Sequence, residues 1–80
     1  MFKKLKGEMF ANDIDQKYLC KELGKSKTYM TNRMTGRYPW CMDDVYKICD
    51  LLEITYDRIS EYFPKDGKDI KKVTNINNID

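Results

Sequence analysis

The sequence predicts an all-α fold of five short helices around one core, with no sheet in the first sixty-three residues. Three observations carry this. Apolar residues recur at helical spacing from Phe2 to Phe63. Helix starters and stoppers punctuate those stripes: Asp15, Ser26 and Thr55 at starts, Gly24, Gly36 and Pro64 at ends. Eighty residues leave room for one small core and no second one.

Each element has its own signal. Phe2, Leu5 and Met9 form the stripe of a first helix that ends near Asn12, where Asn12 and Asp13 tolerate left-handed backbone. Ile14 then points back to the core. Asp15 is a good N-cap for a second helix, residues 16–23, with Leu19, Cys20 and Leu23 inward. Gly24 suits the positive φ at which a helix commonly stops. Ser26 caps a third helix to about Thr35, with Met30 and Met34 inward, and Gly36 ends it. Arg37-Tyr38-Pro39-Trp40 reads as a loop, because Pro39 lacks a donor and restricts Tyr38. A fourth helix spans residues 42–52, its apolar stripe being Val45, Ile48, Cys49 and Leu52. Asp43 and Asp44 complement the positive end of its dipole. Thr55 caps a fifth helix with Ile59, Tyr62 and Phe63 inward. Residues 1–64 form the domain. Residues 65–80 are polar and rich in Asn, and read as a mobile tail.

Composition narrows the function classes. Apolar residues make up 41% and charged residues 35%, normal for a soluble globular domain. No apolar run is long enough to span a membrane, and the start MFKKLKGEMF lacks the apolar stretch of a secretory signal. No histidine is present, and Cys20, Cys41 and Cys49 form no CxxC pair. An enzyme is not expected: the chain offers no histidine base, no mixed Cys–His zinc set, no phosphate-binding glycine loop and no nucleophile–base pair. No cofactor, metal or small-molecule ligand is expected. Reduced cysteines that pack rather than react fit a cytoplasmic protein.

The net charge of +2 hides an asymmetry. Residues 16–40 carry Lys17, Lys21, Lys25, Lys27, Arg33 and Arg37 against Glu22 alone, a net +5. Residues 41–64 carry Asp43, Asp44, Asp50, Glu53, Asp57 and Glu61 against Lys47 and Arg58, a net −4. A basic third of a small domain suggests a polyanion partner, although a solvated helical surface would carry the same charges.

The basic third is two short helices joined through Gly24-Lys25. So short a turn leaves the second helix protruding, as in the helix-turn-helix unit whose second helix enters a DNA major groove. Here the sequence resembles the XRE family of phage Cro- and CI-type repressors, and more narrowly the small Cro-like prophage regulators of low-GC Gram-positive bacteria. The resemblance runs from Phe2 to about Phe63 and rests on DQKYLCKELGKSKTYMTNRMTGRYPW followed by MDDVYKICDLLEI. It implies a lambda-repressor-like arrangement of the five helices. Cys20 stands where the family commonly has Ala. Asp13 and Asp15 stand where Gly and Thr or Ser are common, Cys41 replaces a capping Thr or Ser, and Arg33 holds a position that is often apolar.

The resemblance also assigns roles. Lys27, Thr28, Thr31 and Asn32 match the family's base-reading positions, and Lys, Thr and Asn are chemically suited to base edges. Gln16, Lys25, Ser26, Arg33, Arg37 and Tyr38 are candidates for the DNA backbone. Tyr29 is counted among the exposed residues of the third helix, and Trp40 as a lid on the core. The expected partner is double-stranded DNA with a palindromic operator, bound by a weak homodimer. The dimer surface is sought at Tyr56, Tyr62, Phe63, Ile70 and Val73, with Tyr62 and Phe63 also candidates for closing the core. The competing reading is a protein-binding module on the same fold, such as an antitoxin or an anti-CRISPR or anti-CRISPR-associated protein.

Overall fold

The computed structural model describes residues 1–65. The expected mobile tail, including Ile70 and Val73, lies outside them apart from Lys65. Among the described residues the chain is all-helical. The elements are α1 (Lys3–Ala11), α2 (Gln16–Leu23), α3 (Lys27–Met34), α4 (Met42–Leu52), a 3₁₀ turn (Tyr56–Arg58) and α5 (Ile59–Tyr62). Among those residues no helix is long and apolar enough to cross a membrane.

Two caps act as their residue types predict. The Asp15 carboxylate accepts the Tyr18 amide at 2.8 Å, and the Ser26 hydroxyl accepts the Tyr29 amide at 3.0 Å. Thr55 does not: it occupies the cap position without a side-chain bond, and its helix begins as a 3₁₀ turn before widening into α5. Cys41 likewise opens α4 without a side-chain cap.

Three helices end by one device. The residues after them, Asp13, Gly24 and Glu53, have φ of 57°, 67° and 57°. The next amide turns back onto a carbonyl five residues earlier. Ile14 donates to Met9 at 2.8 Å, Lys25 to Cys20 at 3.0 Å, and Ile54 to Cys49 at 2.8 Å. This is the Schellman closure, which satisfies carbonyls the helix itself leaves open. It also returns Ile14 and Ile54 to the core. At Gly24 nothing lies within 4 Å of where a Cβ would stand, so glycine is needed there for its backbone alone.

The core gathers Leu5, Leu19, Met30, Ile48 and Cys49, all fully buried, with one or more from each of the first four helices. Tyr62 of α5 is buried too. It closes the core, and is therefore not an open dimer surface. Trp40 lies across one end, edge-on to Phe2 at 6.1 Å and to Phe63 at 5.4 Å, as a lid should.

Charge fastens α5 to α1. Glu61 accepts from Lys4 Nζ at 2.7 Å and from Arg58 at 3.1 Å. These bonds hold its carboxyl down at about 2, with Arg58 the larger cause and Lys4 the next, from an ordinary value of 4.5. A carboxyl depressed by folding stabilises the fold above its unfolded value and loses that contribution as pH falls toward the folded one. Stability is therefore expected to contain a component that disappears between about pH 4.5 and about pH 2. It should be modest, because all three side chains are exposed to solvent and salt. Urea melts across this range should show the slope in the native chain and a flatter profile in Glu61→Gln. Equal slopes in the two proteins would contradict the assignment.

Candidate nucleic-acid interface

The basic third folds into α2, its turn, α3 and the loop to Trp40. Helical geometry divides α3 into faces. Met30 and Met34 point into the core, at 0% and 4% exposure. Lys27, Thr28, Thr31 and Asn32 occupy the outward arc, the first three exposed and Asn32 half-buried. The four proposed reading residues thus share one face. Lys27, Thr28 and the Asn32 amide make no side-chain hydrogen bond to another described residue. Their donors and acceptors are free for a partner.

Both flanks of that face are fixed. On one, Gln16 Nε2 of α2 donates to Thr31 Oγ1 at 2.9 Å. A residue expected to position the backbone and one expected to read bases are therefore directly joined. On the other, the Tyr29 hydroxyl donates to Asp44 Oδ2 of α4 at 2.5 Å. This corrects two expectations. Tyr29 is not a solvent-facing member of α3 but a half-buried strut. Asp44 does more than complement a dipole: it is 2% exposed and receives a short bond from a neighbouring helix. Holding the phenol on a carboxylate raises the Tyr29 pKa, with burial adding to it, so the hydroxyl keeps its proton and remains the donor.

The backbone-contact candidates surround this face. Ser26 spends its hydroxyl oxygen on the α3 cap. Lys25 Nζ lies 4.9 Å from the centre of the Tyr29 ring, and the Arg33 guanidinium stacks on the same ring at 3.8 Å. Arg33 also lies 5.6 Å from the Tyr38 ring. Its Nε is enclosed without a hydrogen-bond partner. Gly36, at φ 79°, turns the chain back over the end of α3, and the Tyr38 amide donates to the Asn32 carbonyl at 3.2 Å. That fold-back places Tyr38 beside Arg33 and leaves Arg37 exposed.

At the other end, Gln16, Lys17, Cys20 and Lys27 border an open cleft of about 440 Å³ between the first turns of α2 and α3. First-turn amides have no partner within their own helix, so this end favours an anion. The Asp15 carboxylate opposes that, although its bond to the Tyr18 amide offsets part of its charge.

The acidic third lies on α4, the 3₁₀ turn and α5. Tyr46 and Tyr56 pair there at 4.8 Å, both exposed, with the Tyr56 hydroxyl donating to Asp50 at 2.8 Å. Cys20, Cys41 and Cys49 are free thiols, and burial pushes the Cys49 thiol upward, away from reactivity.

Of the residues singled out from sequence, Gln16, Lys27, Thr28, Thr31 and Asn32 come together on one side of the α2–α3 pair. Lys25 and Arg33 lie against Tyr29, with Tyr38 beside Arg33. Comparison with known protein families, curated proteins and solved structures finds no match to the chain.

Proposed function

We propose that the chain is a sequence-specific, double-stranded DNA-binding transcriptional regulator of the Cro-like repressor type. In this reading α2 and α3 are its helix-turn-helix, and α3 lies in the major groove. The observation that carries it is the outward face of α3. Lys27, Thr28 and Asn32 hold unspent polar groups there, with no acid among them, on a helix braced from both sides. Rigid presentation of donors and acceptors is what base readout requires, since a loose helix would lose the geometry of paired contacts. Arg37, Lys25 and Gln16 then serve the phosphates. One such helix reads too few base pairs to single out a site, so the functional unit is a homodimer on a palindrome with half-sites about 34 Å apart.

The alternative of a protein-binding module rests on a specific feature, the exposed Tyr46–Tyr56 pair on the acidic side. Titration of the labelled protein with a short duplex, followed by amide chemical shifts, separates the two. DNA binding predicts shifts at Gln16, Lys27, Thr28, Thr31, Asn32 and Arg37, with Tyr46 and Tyr56 unmoved. Absence of shifts across α3 at low salt would reject it.

A further inference from the structure

Lys25, Tyr29 and Arg33 are spaced four residues apart, and Tyr38 is brought beside Arg33 by the turn at Gly36. The result is a row of cations and rings running from the α2–α3 turn across α3 to the loop after it, with Lys25 and Arg33 at 4.9 and 3.8 Å from the Tyr29 ring and Arg33 at 5.6 Å from the Tyr38 ring. All three distances lie within the range of cation–π attraction. Its central ring is the one whose hydroxyl is bonded to buried Asp44.

We infer that Tyr29 is a positioning residue for phosphate contact: anchored on α4 through Asp44, its ring sets Lys25 and Arg33 in one line along the edge of the reading helix. The inference rests on the DNA-binding reading and extends it to a residue that touches no DNA in that reading. The physical reason is entropic. Long basic side chains lose rotamer freedom when they grip a phosphate. Cations already stacked on an immobile ring have lost much of that freedom beforehand. Arg33 shows the degree of constraint, since its Nε is enclosed with no hydrogen-bond partner while the residue stays only half-buried and its guanidinium lies over the Tyr29 ring. Asp44 supplies the anchor without meeting the duplex. Phenylalanine at position 29 would keep the ring and lose the anchor; leucine would lose both.

The test uses the full chain with a random-sequence duplex, so that phosphate contacts alone are read. Affinity is measured against salt for the native protein, Tyr29→Phe, Tyr29→Leu, and Tyr29→Leu combined with Arg33→Met. Thermal melts confirm that each variant is folded, and Asp44→Asn provides a second way to loosen the anchor with the ring intact. Each phosphate contact contributes roughly 0.9 to the slope of log affinity against log salt. Tyr29→Leu should lower that slope by about 1 to 2, and adding Arg33→Met should change it little further. Tyr29→Phe and Asp44→Asn should fall between native and Tyr29→Leu.

A reading independent of DNA accompanies it. The Arg33 side-chain protons should be ring-shifted upfield in the native chain and return to ordinary positions in Tyr29→Leu. A folded Tyr29→Leu with the native salt slope overturns the positioning role while leaving the DNA-binding reading in place. A native protein with no salt-dependent DNA binding overturns both.

Discussion

Met30→Ala is expected to cost about 2–5 kcal/mol of folding stability. Met30 is fully buried, and Met34 is the only other side chain that α3 buries in the core. The side-chain hydrogen bonds from α3 to other helices run from Thr31 to Gln16 and from Tyr29 to Asp44, and cation–ring contacts add Lys25 to Tyr29 and Arg33 to Tyr38. Such hydrogen bonds contribute less each, about 1 kcal/mol when neutral and more when charged. A domain of this size has only about 5–15 kcal/mol in total. The midpoint of thermal unfolding should therefore fall by roughly 10 °C or more, since about 4–8 °C accompanies each kcal/mol in domains of this length. Met30→Leu, which nearly conserves volume, should cost less than about 1.5 kcal/mol. Urea melts with unchanged m-values would measure both. A loss below about 1 kcal/mol for Met30→Ala would mean that α3 is held by its polar struts rather than by the core.

Asn32→Ala is expected to cost about 1–3 kcal/mol in binding to the preferred DNA site and to relax preference at one base pair. Asn32 sits on the outward arc with its amide free, and an amide can bond to both N6 and N7 on the major-groove edge of one adenine. Losing it should leave binding to unrelated sequences nearly unchanged. Arg37→Ala should behave oppositely. Arg37 is exposed beyond the end of α3, on the loop that folds back through the Tyr38 amide. Its loss should weaken binding to every sequence alike and reduce the salt slope by about 1. Affinities of both variants for a matched, a single-mismatch and an unrelated duplex, each at several salt concentrations, separate the two roles. The same sequence-independent loss in both would erase the division between reading and positioning.

Local chemistry makes most of the fold legible in the sequence. Asp15 and Ser26 cap α2 and α3, Gly24 carries the positive φ after α2, and the stripes of α1 and α4 are buried as their spacing requires. The end of α4 falls at Leu52 as expected, although no residue type signals it. Nothing in Leu51-Leu52-Glu53-Ile54 marks a stop, because Glu is not a residue that favours left-handed backbone. The stop is imposed from outside the helix, by burial of Ile54 and its amide bond to Cys49. Thr55 shows the converse. Its residue type invites a cap, but the chain enters α5 through a 3₁₀ turn and the hydroxyl is not used.

The proposed reading face was gathered from the sequence for a similar reason. Lys27, Thr28, Thr31 and Asn32 are held together by helical period alone. The strut beneath them was not, since Tyr29 and Asp44 are fifteen residues apart and on different helices. A weak signal did exist. Asp44 lies four residues before Ile48, on the flank of the buried stripe of α4, where an acid needs a donor. Only the packing of α3 against the start of α4 reveals that Tyr29 is that donor. Of the two roles the sequence left open for Tyr62, dimer surface or core closure, its burial fits the second.

Selection of bound duplexes from a random-sequence pool, at near-physiological salt, is the experiment on which the DNA-binding reading depends. Sequence-specific recognition by a paired α3 predicts enrichment of one discrete motif with two-fold symmetry and half-sites one helical turn apart, occupied by two chains per site. A pool that stays unenriched, with only weak binding that salt abolishes, would contradict it and leave the exposed aromatic and acidic side as the working surface.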